Sequence, residues 1–132
     1  MNIGLAAGQT GVSAKMIRHY EAIGLLRPAA RRANAYRDYG DRDVRDLKFI
    51  RRARILGFSI DEIRSLLALW RDETRSSAEV RGIAQAHVAD LERRLAEFQA
   101  MIATLHHLID SCPGDGAPHC PILQELAHDG AP

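Results

Sequence analysis

Gly11-Val12-Ser13-Ala14-Lys15-Met16-Ile17-Arg18-His19-Tyr20 is the stretch whose reading decides the fold. Ser13 has the hydroxyl that an N-cap needs, and Met16 and Ile17 open the apolar face of the helix behind it. Ile3, Leu5 and Ala6 form a first apolar cluster upstream, and Gly11 falls between the two. Two short helices joined by a tight glycine turn read as a helix-turn-helix, whose second helix is the one suited to a DNA major groove. That helix carries Lys15, Arg18 and His19 on its polar side, and Lys and Arg are what phosphates and guanine edges accept.

Outward from this motif, Gly24-Leu25-Leu26 and Arg27-Pro28 lead into a turn-rich stretch ending Asn34-Ala35-Tyr36-Arg37-Asp38-Tyr39. Pro28 bars a helix interior, and Tyr36 and Tyr39 favour extended backbone, so a short β-hairpin or wing is predicted, lined by Arg31, Arg32 and Arg37. Asp41 is expected to cap a helix of about sixteen residues that ends at Gly57, and Ser59 to cap the next, with Ile60, Ile63, Leu66, Leu67 and Trp70 on its apolar face.

Charge divides the chain. Residues 1–57 hold twelve Lys/Arg against five acids, a net +7, whereas residues 58–132 hold six against twelve, a net −6. A basic head on an acidic remainder calls for a polyanionic partner at the head alone. No apolar run reaches membrane-spanning length and no signal-peptide pattern is present, so a cytoplasmic location without membrane association is expected, where Cys112 and Cys120 stay reduced. A Gly-rich phosphate loop, a nucleophile–base–acid set and paired carboxylates are all missing from the sequence, which argues against an enzyme.

After a polar break at 71–77, apolar or small residues recur at Val80, Ala84, His87, Leu91, Leu95, Phe98, Ile102, Leu105 and Ile109, in steps of three and four. This is a heptad-like seam about 30 residues long, or roughly 45 Å at the helical rise. A head this small cannot cover it, so a homodimer through a two-helix coiled coil is predicted, with His87 packed in the seam rather than acting as a ligand. The tail, Ser111-Cys112-Pro113-Gly114-Asp115-Gly116-Ala117-Pro118-His119-Cys120-Pro121, is a Pro/Gly loop, and Pro121 suits the first turn of a final helix from Ile122 to about Leu126. The expected divisions are a head at 1–70, a linker and dimerisation helix at 71–111, and a loop and tail at 112–132.

The head motif Val12 to Glu21 with Gly24-Leu25, the Tyr36-Arg37 pair and the order of elements resemble the MerR family of transcription regulators. Ser77, and Cys112 and Cys120 around a Pro-Gly-Asp loop followed by Pro121-Ile122, resemble its copper-responsive CueR/HmrR-type branch. The resemblance implies a mainly α fold: a winged helix-turn-helix head, a long antiparallel coiled-coil dimerisation helix, and a short C-terminal metal-binding loop and helix. It implies DNA contacts from Lys15, Arg18, His19, Tyr20, Arg31, Tyr36, Arg37 and Arg54. It implies a dimer on pseudo-palindromic promoter DNA that distorts the spacer when metal binds, serving RNA polymerase indirectly, as an activator of copper efflux and detoxification genes. One departure is Ala35, where the family usually carries glycine; an Ala at positive φ is strained, so either the turn differs or Asn34 takes the left-handed position.

Two thiolates suit a soft monovalent ion that accepts linear coordination, whereas zinc ordinarily takes four ligands. In the family's divalent-metal branches position 77 is a cysteine supplied by the partner chain; Ser77 here implies a preference for Cu(I), with Ag(I) or Au(I) as companions, one ion per chain on Cys112 and Cys120. Two thiolates on a monovalent ion leave one net negative charge, which the N-terminus of the helix at Pro121 and Arg81 of the partner subunit are placed to offset. Other readings of the cysteines stay open: inert thiols, a redox disulfide, a zinc site with His119 or Asp115, or a family member sensing a divalent metal or thiol oxidation.

Overall fold

A computed structural model of the chain describes residues 1–31 and 37–128, with side chains described for 1–29 and 37–128. The elements run α1 (Ile3–Thr10), α2 (Ala14–Ala22), β1 (Ala30–Arg31), β2 (Arg37–Asp38), α3 (Asp41–Ile55), α4 (Ile60–Arg71), α5 (Ser77–Ser111) and α6 (Pro121–Ala127). The fold is mainly helical, as expected. No helix among the described residues is long and apolar enough to cross a membrane. The chain divides into two compact units, Met1–Ile83 and Ala84–Pro132.

In the first unit the caps do what their chemistry demands. Asn2 Oδ1 accepts from the Leu5 amide at 2.9 Å and Ser13 Oγ from the Met16 amide at 3.2 Å, which starts α1 and α2. Gly11 ends α1 in the left-handed region at φ 74°, where a side chain is strained. Ser59 and Glu62 form a reciprocal capping box at α4, with bonds of 2.9 and 3.1 Å. At α3 the sequence expectation needs correction. Gly40, not Asp41, is the N-cap, and its amide donates to Asp43 Oδ2 at 2.9 Å. Asp43 prevails because it is buried and also accepts from Arg27 Nε at 3.2 Å, a partner sixteen positions away.

Ile17, Leu26, Tyr39, Leu47, Ile50, Ile63 and Leu67 are fully buried and hold α2, α3 and α4 together. Arg71 Nη2 reaches buried Asp46 at 2.7 Å, which joins the end of α4 to α3. Arg64 Nη2 donates to the Ile23 carbonyl at 3.1 Å and fixes the end of α2 against α4. The wing base is an antiparallel pair with Ala30 opposite Asp38 and Arg31 opposite Arg37. The Tyr39 amide donates to the Met1 carbonyl at 2.7 Å, so the wing strand returns to the start of the chain.

In the second unit, the remainder of α5 leaves its apolar residues in water. Leu95, Phe98, Met101, Ile102, Leu105 and Ile109 are each half or more exposed. His87, by contrast, is buried. The last helix begins one residue earlier and ends one later than predicted, with Pro121 at its first position, where no amide hydrogen is needed.

Candidate nucleic-acid interface and cysteine loop

Lys15, Arg18 and His19 stand exposed on α2, as a recognition helix requires. Tyr20 does not. Expected as a DNA contact, it is 5% exposed and belongs to the core cluster. It follows Ile17 by three positions, so the 3.6-residue period turns it inward while Arg18 and His19 face out. Arg54 is exposed on the last turn of α3, and its Nη1 donates to the Phe58 carbonyl at 3.3 Å. Tyr36, Arg32, Asn34 and Ala35 lie outside the described residues, as does the side chain of Arg31.

Arg37 is only partly available to an external phosphate. Its Nη1 lies 3.1 Å from Glu21 Oε2, and the Tyr39 hydroxyl donates to the other oxygen of the same carboxylate. The Tyr39 side chain, then Glu21, hold Arg37 above its ordinary pKa. Burial and the bond to Glu21 push the Tyr39 phenol above its usual range. Glu21 thus ties the recognition helix to the wing base, a role that charge and periodicity did not single out.

Sequence reading also missed Arg51, which is exposed on α3 three positions before Arg54 and lines a shallow cavity of about 480 Å³ with Gly11, Ser13 and Met16. The i, i+3 spacing of the two arginines was the available signal.

Ser77 and Arg81 occupy the first two turns of α5 in the first unit. With Phe49, Leu66, Trp70 and Val80 they line a cavity of about 730 Å³. The connector before them is locally braced: Asp72 accepts from the Thr74 amide and hydroxyl, and the Arg75 guanidinium lies 5.5 Å from the Trp70 ring centroid.

Cys112 directly follows α5 and Cys120 is the N-cap of α6; both are free thiols and partly buried. The amide of Leu123, then that of Ile122 and the Cys112 thiol, hold Cys120 below the ordinary thiol range, against the opposing effect of burial. This is what the open amide end of a helix does to a sulfur placed over it. Gly114 turns the loop at φ 62° and Asp115 Oδ1 accepts from the Ala117 amide at 2.9 Å, so that carboxylate is engaged within its own loop. His119 is exposed. Among the described residues no three His, Cys, Asp or Glu side chains gather in a metal-holding group.

A family model described as MerR HTH family regulatory protein matches residues 1–70, and one described as MerR, DNA binding matches residues 44–108. The chain belongs to the MerR family of transcription regulators. As a MerR-family protein it is a DNA-binding transcription regulator and not an enzyme. It is 57% identical to the HTH-type transcriptional regulator HmrR of Sinorhizobium medicae (strain WSM419), over 98% of this chain and 88% of that one. It is 40% identical to CueR of Salmonella typhimurium, over 96% and 92%. The crystal structure of PbrR691 from Ralstonia metallidurans CH34 in complex with lead(II) matches with a TM-score of 0.83 at 33% identity, covering 96% of this chain and 99% of that one. Within the MerR family, this chain is also 54% identical to a protein of Rhizobium meliloti (strain 1021) named heavy metal-dependent transcription regulator 2, over 99% of this chain and 89% of that one.

Proposed function

We propose that this heavy-metal-responsive regulator is a Cu(I)-triggered transcriptional activator, with Ag(I) or Au(I) as alternative effectors, working as a homodimer on pseudo-palindromic promoter DNA. The observation that carries the metal reading is the cysteine loop. Two free thiols flank one short loop, Cys112 just after α5 and Cys120 at the amide end of α6, and among the described residues no third ligand of the loop joins them. Two soft donors satisfy a monovalent coinage-metal ion, and backbone N–H groups favour the negative charge left on a two-thiolate centre. Similarity to CueR and HmrR supports the same reading. The exposed seam from Leu91 to Ile109 supports the dimer, since a stripe of this length is hidden only by a second helix. Metal at Cys112 and Cys120 would act on the promoter spacer by redistributing the two heads, and Ser77 and Arg81 of the partner subunit would complete the surroundings of the ion.

A divalent reading has one specific observation in its favour, the lead(II) complex of PbrR691. Anaerobic titration separates the two. The expected result is one Cu(I) per chain on two sulfurs, retained against excess Zn(II) and Pb(II); displacement by either divalent ion overturns the monovalent assignment. Cys112→Ser should abolish metal-induced transcription and leave promoter binding in place. Loss of promoter binding would make the loop structural instead.

A further inference from the structure

We infer that Arg51 is a DNA-backbone contact, seated on the helix-turn-helix turn by the missing side chain of Gly11 and acting beside Arg54. The packing at Gly11 is the starting point. A Cβ placed there would lie 2.9 Å from Arg51 Nε, 3.2 Å from its Cδ and 3.4 Å from its Cζ. The guanidinium therefore lies directly on the turn that joins α1 to α2, closer than a side chain at position 11 would permit. Gly11 serves two ends at once: it takes the positive φ that ends α1, and it clears the seat of Arg51.

What Arg51 does in that seat follows from its surroundings. It is exposed, and among the described residues no carboxylate pairs with it, whereas the buried acids Glu21, Asp43 and Asp46 are matched by Arg37, Arg27 and Arg71. Its neighbours on the last turns of α3 are Arg52 and Arg54, so positive side chains are concentrated there. Arg51 and Arg54 stand one helical turn apart and line the same cavity of about 480 Å³, whose other wall is Gly11, Ser13 and Met16 from the turn and first turn of α2. Two guanidinium groups opening on one concave surface are a fork-shaped receptor for a phosphate. The surface adjoins the start of the recognition helix, past which the sugar–phosphate strand runs when the helix enters the groove. The contact positions the head without reading sequence. It is independent of the metal assignment and rests only on DNA binding by the head.

The test uses the full-length protein with operator and unrelated duplexes across a salt series. Arg51→Gln is expected to weaken both duplexes by the same factor, about tenfold, and to lower the slope of log K against log salt by about 0.9, with the thermal midpoint retained. Arg51→Lys should restore the slope and part of the affinity, because the charge returns without the fork. A Gln variant with the wild-type slope and a lowered midpoint would overturn the proposal and leave Arg51 as a packing residue of the turn. Should Arg51→Gln fail to fold, the wild-type protein decides: phenylglyoxal labelling of Arg51 is expected to fall when duplex is added, and unchanged labelling overturns the contact.

Discussion

Glu21 carries more of the head than its single negative charge suggests. It is the one acid on α2, and it receives both Arg37 and the Tyr39 hydroxyl from the wing strand. Removing its charge leaves Arg37 partly buried without a counter-ion. Glu21→Gln should therefore cost about 1–2 kcal/mol, read as a fall of several degrees in the thermal midpoint. The Tyr39 phenol holds its proton more tightly folded than unfolded. Its contribution is accordingly intact below about pH 10 and lost as pH rises through the raised folded value. Urea midpoints between pH 8 and 11 should drop, and Tyr39→Phe should flatten that drop. At the other end of the chain, the depressed pKa of Cys120 gives more thiolate at neutral pH. In reduced, metal-free protein, iodoacetamide should alkylate Cys120 faster at pH 7 than a cysteine in an unstructured peptide, as followed by mass spectrometry. An equal rate would mean the amides of α6 do not act on it. At this scale the sequence reading agrees with the structure on exposure, which Lys15 and Arg18 have on α2. It gave no hint that the helical phase of Tyr20 buries most of that side chain in the core, at the edge of the cavity shared by Arg51 and Arg54.

Among the elements, the helices read from short-range signals were placed well. Ser13 and Ser59 cap α2 and α4, because a capping bond spans only three residues and needs nothing from elsewhere. Ser59→Ala should cost about 1 kcal/mol, measurable as a shift in denaturant midpoint without change in slope. The start of α3 was misread for the opposite reason. Two aspartates, Asp41 and Asp43, compete within one turn, and a distant Arg27 decides between them. The wing shows the same limit. Its base, β1 with β2, was legible from Pro28 and the tyrosines, but the employment of Arg37 by Glu21 was not, since that pairing joins elements sixteen residues apart.

For the whole molecule, α5 is the element that a single chain does not satisfy. Phe98→Glu and Leu95→Glu put charge into the exposed seam, and either should convert a dimer to monomer in sedimentation equilibrium. Operator affinity should fall with it by about a hundredfold, since two linked heads bind far more tightly than one. A Leu95→Glu chain that stays dimeric with full operator affinity would remove the seam from the dimer.

The sequence by itself determined the family, the helix-turn-helix, the long helix and the pair of thiols, because periodicity, caps and side-chain chemistry are properties of neighbours in the chain. Only tertiary structure decided which charges remain for DNA. Twelve basic residues crowd the first 57, but acids claim Arg27 and Arg37 among them, while Arg51 is left free on the turn beside Gly11. The reason is physical: a carboxylate taken out of water must hold a cation, and which cation it holds depends on what folding brings beside it.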